Sequence, residues 1–246
     1  MAPRLHVPGV APSAGRTIEL PPDAARHVQV LRLQPGDALT LFDGQGGEWL
    51  AEVRTMGKRE VHAELRAHHA VERELPIAVT LALAMPAGDR MDFVVEKATE
   101  LGAAAIVPLI AERSVLRLAG ERAEKRRAHW QAIAVAACEQ CGRNRVPQLA
   151  VPLPLPAWLE ALSAPAAGHA RWLLGWRDAL AWPEAQASVA SSRSALLLSG
   201  PEGGFTKGEE ALARERGFAA LTLGPRVLRA DTAPLAALAA IALHRP

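Results

Sequence analysis

The chain has 246 residues, half of them hydrophobic, which suits one large domain or two smaller ones and excludes general disorder. The formal net charge of +2 is too small to demand a polyanionic partner by itself, although arginine supplies 24 of the 28 basic side chains. The first 20 residues hold no apolar signal-like segment, and the longest apolar run, residues 233–243, is about half of what a bilayer span needs, so a cytosolic protein is expected.

Residues 1–72 read as mostly β. Short strands are predicted at 16–20, 38–42, 48–55 and 60–67, with Gly and Asp turns between them such as Asp43-Gly44 and Met56-Gly57. A single helix is predicted at 23–31. Short strands at this spacing predict a small barrel. His62, His68 and His69 lack metal-ligand spacing and are expected on a strand surface. From Pro76 the rhythm changes. Residues 77–84 form a continuous apolar run, the pattern of a parallel strand covered on both faces. A helix follows at 89–101, with Met91, Val94, Val95, Ala98 and Leu101 on one face and Gly102 as its stop. Residues 104–109 are the next strand and 121–140 a long helix. A Pro-rich connection spans 147–156. Further strands are predicted at 170–174, 195–198 and 219–223, with helices at 207–216 and 234–243. This alternation predicts an α/β domain with a mostly parallel sheet. The last helix is apolar almost all round and is expected to be buried, against a second subunit if not within the chain.

Six basic residues and two acidic ones lie between Arg113 and Arg127. Such a run is either a solvated helix face or a surface that contacts phosphate. Cys138 and Cys141 form Cys-Glu-Gln-Cys, the spacing of a redox pair or half a zinc site. No second pair accompanies them, and they fall late in a helix rather than at its start.

The stretch most telling of function is Ser199-Gly200-Pro201-Glu202-Gly203-Gly204-Phe205-Thr206, between an apolar run and a helical pattern. A strand that stops at such a turn and restarts as a helix is how α/β proteins build ligand loops. Thr206 and Glu209 form a capping box, which aims the free N–H groups of the helix start at the loop. A second loop, Leu223-Gly224-Pro225-Arg226-Val227-Leu228-Arg229-Ala230-Asp231-Thr232-Ala233, follows about twenty residues later. Asp231 or Thr232 can cap the final helix, with Pro234 in its first turn. The phosphate-binding P-loop fails here, because Phe205 stands at the required second glycine. The Rossmann spacing from Gly44 and Gly46 fails at Trp49.

Four blocks in order resemble one family: Glu96-Lys97-Ala98-Thr99-Glu100-Leu101-Gly102, Glu139-Gln140 with Arg143, Gly200-Pro201-Glu202-Gly203-Gly204, and Leu223-Gly224-Pro225-Arg226-Val227-Leu228-Arg229. Arg4, the segment 27–32 and Gly36-Asp37 fit the same pattern. The chain resembles the bacterial 16S ribosomal RNA (uracil-N3)-methyltransferases of the SPOUT superfamily over nearly its whole length. Asp231 departs from the family's usual Glu, and Cys141 from its usual small hydroxyl residue.

The resemblance implies an α/β fold: a PUA-like RNA-binding β-barrel over residues 1–72, then a SPOUT domain over 73–246 with a trefoil-knotted parallel sheet. It implies a homodimer, S-adenosylmethionine as methyl donor, and 16S ribosomal RNA within the small subunit as partner. Donor-binding residues carried over are Leu174, Gly175, Leu198, Ser199, Gly200, Glu202, Gly203, Leu223, Gly224, Val227, Leu228, Thr232 and Ala233. Arg229 is the expected electrostatic catalyst, or else a salt-bridge partner of Asp231 or Glu202. Glu202 is a proton acceptor or a loop brace. Arg4, Arg32, Arg113, Arg143 and Arg229 are expected on RNA. Competing functions are methylation of transfer RNA, a non-catalytic assembly role, and a redox role for the cysteines.

Overall fold

A computed structural model describes residues 2–9, 13–58, 60–175 and 177–243. The chain divides into two compact units. The first comprises Met1–Glu74 and Val135–Val146, the second Leu75–Ala134 and Pro147–Pro246.

In the first unit, β1 (Arg4–His6), β2 (Thr17–Glu19), β3 (Ala38–Phe42), β4 (Glu48–Met56) and β5 (Val61–His69) form one sheet in the order β1-β3-β4-β5-β2. Only β1 and β3 run parallel. The sheet bends around a single core. Apolar side chains alternate inward along the strands, as Trp49, Ala51 and Val53 do on β4 and Val61, Ala63 and Leu65 on β5. Helix α1 (Pro22–Val30) adds Ala24, Ala25 and Val28 to that core. The three histidines of β5 lie toward its outer face and end, His68 and His69 exposed and His62 half-buried.

The second unit contains β6 (Ala78–Ala84), α2 (Arg90–Glu100), β7 (Ala105–Ile110), α3 (Gly120–Cys141), β8 (Gln148–Leu149), β9 (Leu153–Pro154), α4 (Leu155–Ala161), β10 (His169–Leu174), β11 (Leu180–Ala181), α5 (Trp182–Ala190), β12 (Ser194–Ser199), α6 (Lys207–Glu215), β13 (Ala219–Thr222) and α7 (Thr232–Leu243). Its strands pair in the order β11-β13-β10-β12-β6-β7-β8, with β9 also on β7, and every pairing is parallel. Helix α2 ends in a Schellman motif: Gly102, at φ +94°, donates to Thr99 O at 3.1 Å, and Ala103 donates to Ala98 O at 2.9 Å. Strand β13 lies on the far side of β10 from β12, yet α7 packs on β12, β6 and α2. The chain leaving β13 therefore returns across the ends of β10 and β12. Helix α7 buries Pro234, Ala237, Leu238 and Ile241 but leaves Leu243 86% exposed, so it is covered on one side only rather than all round.

The end of α3 and the segment after it belong to the first unit, a grouping that a division after residue 72 does not anticipate. The tie is electrostatic. His6 N–H donates to Glu139 Oε1 at 2.9 Å. Arg4 donates to Glu48 at 2.7 Å and reaches Asn144, while Arg73 bonds both Glu48 (3.0 Å) and the Gly142 carbonyl (2.9 Å). Arg143 pairs with Glu74, and Arg145 with Glu72. Burial opposes the charge on Glu48, but hydrogen bonds from Arg73, Arg4 and Asn144 outweigh it and hold the carboxyl down at about 2. Its folded value lies below the ordinary 4.5, so the stabilisation is complete above pH 4.5 and lost as the pH falls from 4.5 towards 2. Urea melts across that window should show the wild-type midpoint dropping faster than that of Glu48→Gln. Parallel pH profiles would contradict the network's role.

Candidate active site

The carboxyl ends of β10, β12 and β13 stand level because of strand register. Leu174 lies opposite Ser199 on one side and opposite Leu221 on the other. Just past these positions each chain segment meets a glycine: Gly175, Gly200 and Gly224. The loops enclose a cavity of about 700 Å³. Its apolar wall comes from Leu173, Leu174, Leu221, Leu223, Val227 and Leu228. Two glycines fit their places for different reasons. A Cβ on Gly200 would sit 3.3 Å from the Phe205 ring, and Gly224 has φ +120°, where a side chain is strained.

Of the residues expected to hold a donor, Leu174, Gly175, Ser199, Gly200, Glu202, Gly203, Leu223, Val227, Leu228 and Ala233 line this cavity. Leu198 is fully buried behind it, in the core with Phe205 and Leu173. Gly224 and Thr232 turn the chain and open α7 without forming the wall.

The loops are held by side chains from elsewhere in the unit. Glu202 Oε1 accepts the Ala87 N–H at 3.0 Å, which is the loop-bracing arrangement. Arg90, in the first turn of α2, stands between the two glycine loops. Its Nη1 is 3.9 Å from Glu202 Oε1 and its Nε 3.8 Å from Asp231 Oδ2. At those separations the contacts are ion pairs rather than hydrogen bonds. The shorter Asp231 thus still engages a cation, and also accepts the Thr232 hydroxyl at 3.2 Å. Arg113 donates to the Gly203 carbonyl at 2.8 Å, fastening the first loop from the other side. The capping box of α6 is present, and it does more than cap. The buried Glu209 carboxylate accepts Thr206 N–H and Glu112 N–H, each at 2.8 Å.

Cations dominate the cavity lining. Arg90, Arg113, Arg177, Arg214, Arg226 and Arg229 face Glu202 and Glu210. Arg229 is exposed, and among the described residues no carboxylate pairs with it. Sequence reading passed over Arg90, Arg177, Arg214 and Arg226. The signal available for Arg90 was its position, since a cation in a helix's first turn opposes the macrodipole. Arg32 is exposed, with φ +57°. Arg4 and Arg143 are elsewhere and inward. The Arg4 side chain is 8% exposed and lies 5.2 Å from the Phe42 ring centroid, and Arg143 is 4% exposed. Cys138 is buried, and desolvation pushes its thiol up to about 12, so it stays protonated at neutral pH and is a poor nucleophile.

Replacing Glu209 with Ala strands two backbone N–H groups at the root of the first loop. A loss of about 2–4 kcal/mol is expected in chemical denaturation. A variant as stable as wild type would remove Glu209 from this bracing role.

The RNA methyltransferase domain family matches residues 73–242, and the RNA methyltransferase PUA domain family matches residues 20–66. The ribosomal RNA small subunit methyltransferase E of Synechocystis is 38% identical over 216 residues, covering 87% of this chain and 68% of that protein. The enzyme of the same name from Bacillus subtilis is 34% identical over 220 residues, covering 87% and 84%. A crystal structure of a ribosomal RNA small subunit methyltransferase E from Neisseria gonorrhoeae, bound to S-adenosylmethionine, is 38% identical. It aligns with a TM-score of 0.89 over 98% of this chain and 96% of that one. The chain belongs to the RNA methyltransferase family that includes these small-subunit enzymes.

Proposed function

We propose that this chain transfers a methyl group from S-adenosylmethionine to N3 of one uridine in 16S ribosomal RNA, acting in the cytoplasm on an assembled small subunit. The observation that carries the reading is the cavity at the level ends of β10, β12 and β13, closed by two glycine loops and ringed by six arginines. The names of its relatives, and the donor bound in the Neisseria structure, point the same way.

The residues fit a nucleoside sulfonium. Leu174, Leu223 and Leu228 offer apolar surface to a flat base. The backbone of 199–203 and 223–228 offers edge hydrogen bonds without intervening side chains at its glycines. When bound, the donor supplies an electrophilic methyl carbon. The protein's task is to position N3 of the base in line and to stabilise the charge left as the N3 proton departs. Arg229 is assigned that electrostatic role, because it lines the cavity without a carboxylate partner among the described residues. Glu202 is assigned to bracing, because one of its oxygens already holds the Ala87 N–H. Arg113 and the other rim arginines would meet phosphate.

A homodimer is part of this reading. Helices α2 and α7 pack together and leave Phe93 (52% exposed) and Leu243 uncovered. Light scattering should give twice the chain mass, and a monomer at working concentration would remove the dimer from the proposal.

Methyl transfer to small subunits lacking native modifications, mapped by nuclease digestion and mass spectrometry, tests the whole. A single N3-methyluridine is expected. Donor binding without incorporation would redirect the search to transfer RNA, and no donor binding would favour a non-catalytic assembly role. Arg229→Ala should lower kcat by about 10²–10³-fold with donor affinity kept. Glu202→Gln should cost only about 3-fold, whereas a proton acceptor would cost 10²-fold or more, on the order of general-base losses.

A further inference from the structure

We propose that the exposed basic face of α3, formed by Arg122, Lys125 and Arg126, grips the phosphate backbone of the RNA strand that enters the cavity. The inference rests on the RNA-methylation reading above and adds a surface to it.

The three residues fall at i, i+3 and i+4, so they share one side of the helix, and all three are exposed. A different side of α3 buries Ala123, Trp130 and Ala134. The chain itself does not use this charge. Of the acids close by, Glu121 stands one turn before Lys125 but makes no ion pair with it, and Glu124 is taken by Arg127 at 3.0 Å. Asp92 is taken by His129 at 2.8 Å and by the Trp130 indole N–H at 2.9 Å. Among the described residues, no carboxylate pairs with Arg122, Lys125 or Arg126.

Helix stability does not explain these cations either. Arg122 stands in the first turn of α3, where the macrodipole already places positive charge, so it opposes helix formation, while Lys125 and Arg126 lie in the second turn and gain nothing from the dipole. Exposed cations that make no ion pair within the chain match an external anion.

In sequence the series runs on from the cavity. Arg113 lines it and is fixed to the Gly203 carbonyl at 2.8 Å. Arg117 follows, fixed to the Glu112 carbonyl at 2.8 Å, and α3 begins three residues later. The face carries no Phe, Tyr or Trp, since Trp130 is buried, and the one exposed ring on it, His129, is held by Asp92 at 2.8 Å. Contact is therefore with phosphates rather than stacked bases, and it is indifferent to sequence.

The test is the full-length triple variant R122A/K125A/R126A, compared with wild type across a potassium chloride series. Binding to unmodified small subunits is read by filter retention, and methyl transfer is read alongside it. Binding should weaken by about tenfold or more, and the salt dependence should flatten by about 2–3 in log–log slope, one unit per lost phosphate contact. KM for subunits should rise with kcat nearly unchanged, and affinity for S-adenosylmethionine should hold, which also reports that the variant is folded. The charge-keeping variant R122K/R126K should behave as wild type. Equal binding and equal salt slope for the triple variant and wild type would overturn the proposal. If wild type binds subunits without methylating them, the catalytic reading fails while the binding comparison still decides the role of this face.

Discussion

The register of β10 against its two neighbours is the constraint on which the site depends. With Leu174 opposite both Ser199 and Leu221, three strand ends finish at one height, and the three following segments can face one another. A shift of a residue in either pairing would stagger the loops and turn alternate side chains to the other face of the sheet. A sheet buried on both faces resists such a shift. Leu197, Leu198, Leu221 and Leu173 are all buried, and each would have to be repacked. The functional loops are thus irregular segments mounted on a rigid edge, an economical way to hold a ligand without ordering the loops through their own packing.

Charge then fixes what register leaves loose. The first loop is held from three sides, by Ala87 through Glu202, by Arg113 through the Gly203 carbonyl, and by Glu209 at the helix that follows. Arg90 joins this loop to the second by standing between Glu202 and Asp231. The contacts of Arg90 near 3.8 Å are weaker than the hydrogen bonds of Glu209 near 2.8 Å. The rigid attachment therefore lies at the root of the loop and the softer one at its mouth. That gradient suits a site that must admit a nucleotide and still orient it.

Much of this architecture was legible in the sequence where periodicity was long. The five longer strands of the parallel sheet (β6, β7, β10, β12 and β13), α2, α3, α6 and the capping box at Thr206 and Glu209 all stand within a residue or two of their expected bounds. The helices that were missed both begin with proline in the first turn, Leu155-Pro156 in α4 and Trp182-Pro183 in α5. Proline ends a helix in its interior but is well tolerated at its start; taking 147–156 as a connection hid the start of α4, and 182–190 drew no assignment. Of the strands of two or three residues, β2 fell within the strand expected at 16–20, but β1, β8, β9 and β11 are too short to show a period. The grouping of Val135–Val146 with the first unit was hidden for another reason. It arises from ion pairs between residues far apart in sequence, such as Arg143 with Glu74.

The arginines show why residue type alone could not assign the site. Arginine suits phosphate contact and buried ion pairing equally well, because the same planar fork serves both. Arg4 and Arg143 are inside, and each is opposed by a carboxylate that balances its charge. Removing either would leave Glu48 or Glu74 with a lost partner, so their replacement would report on folding before it reported on RNA. Arg229 and the α3 cations are outside, and among the described residues no carboxylate balances them. A cation whose charge is neutralised within the fold contributes little field at the surface, whereas an unpaired exposed one attracts an anion at low desolvation cost. Burial and pairing, which only the three-dimensional structure supplies, therefore separate the arginines that build this protein from those available to meet its substrate.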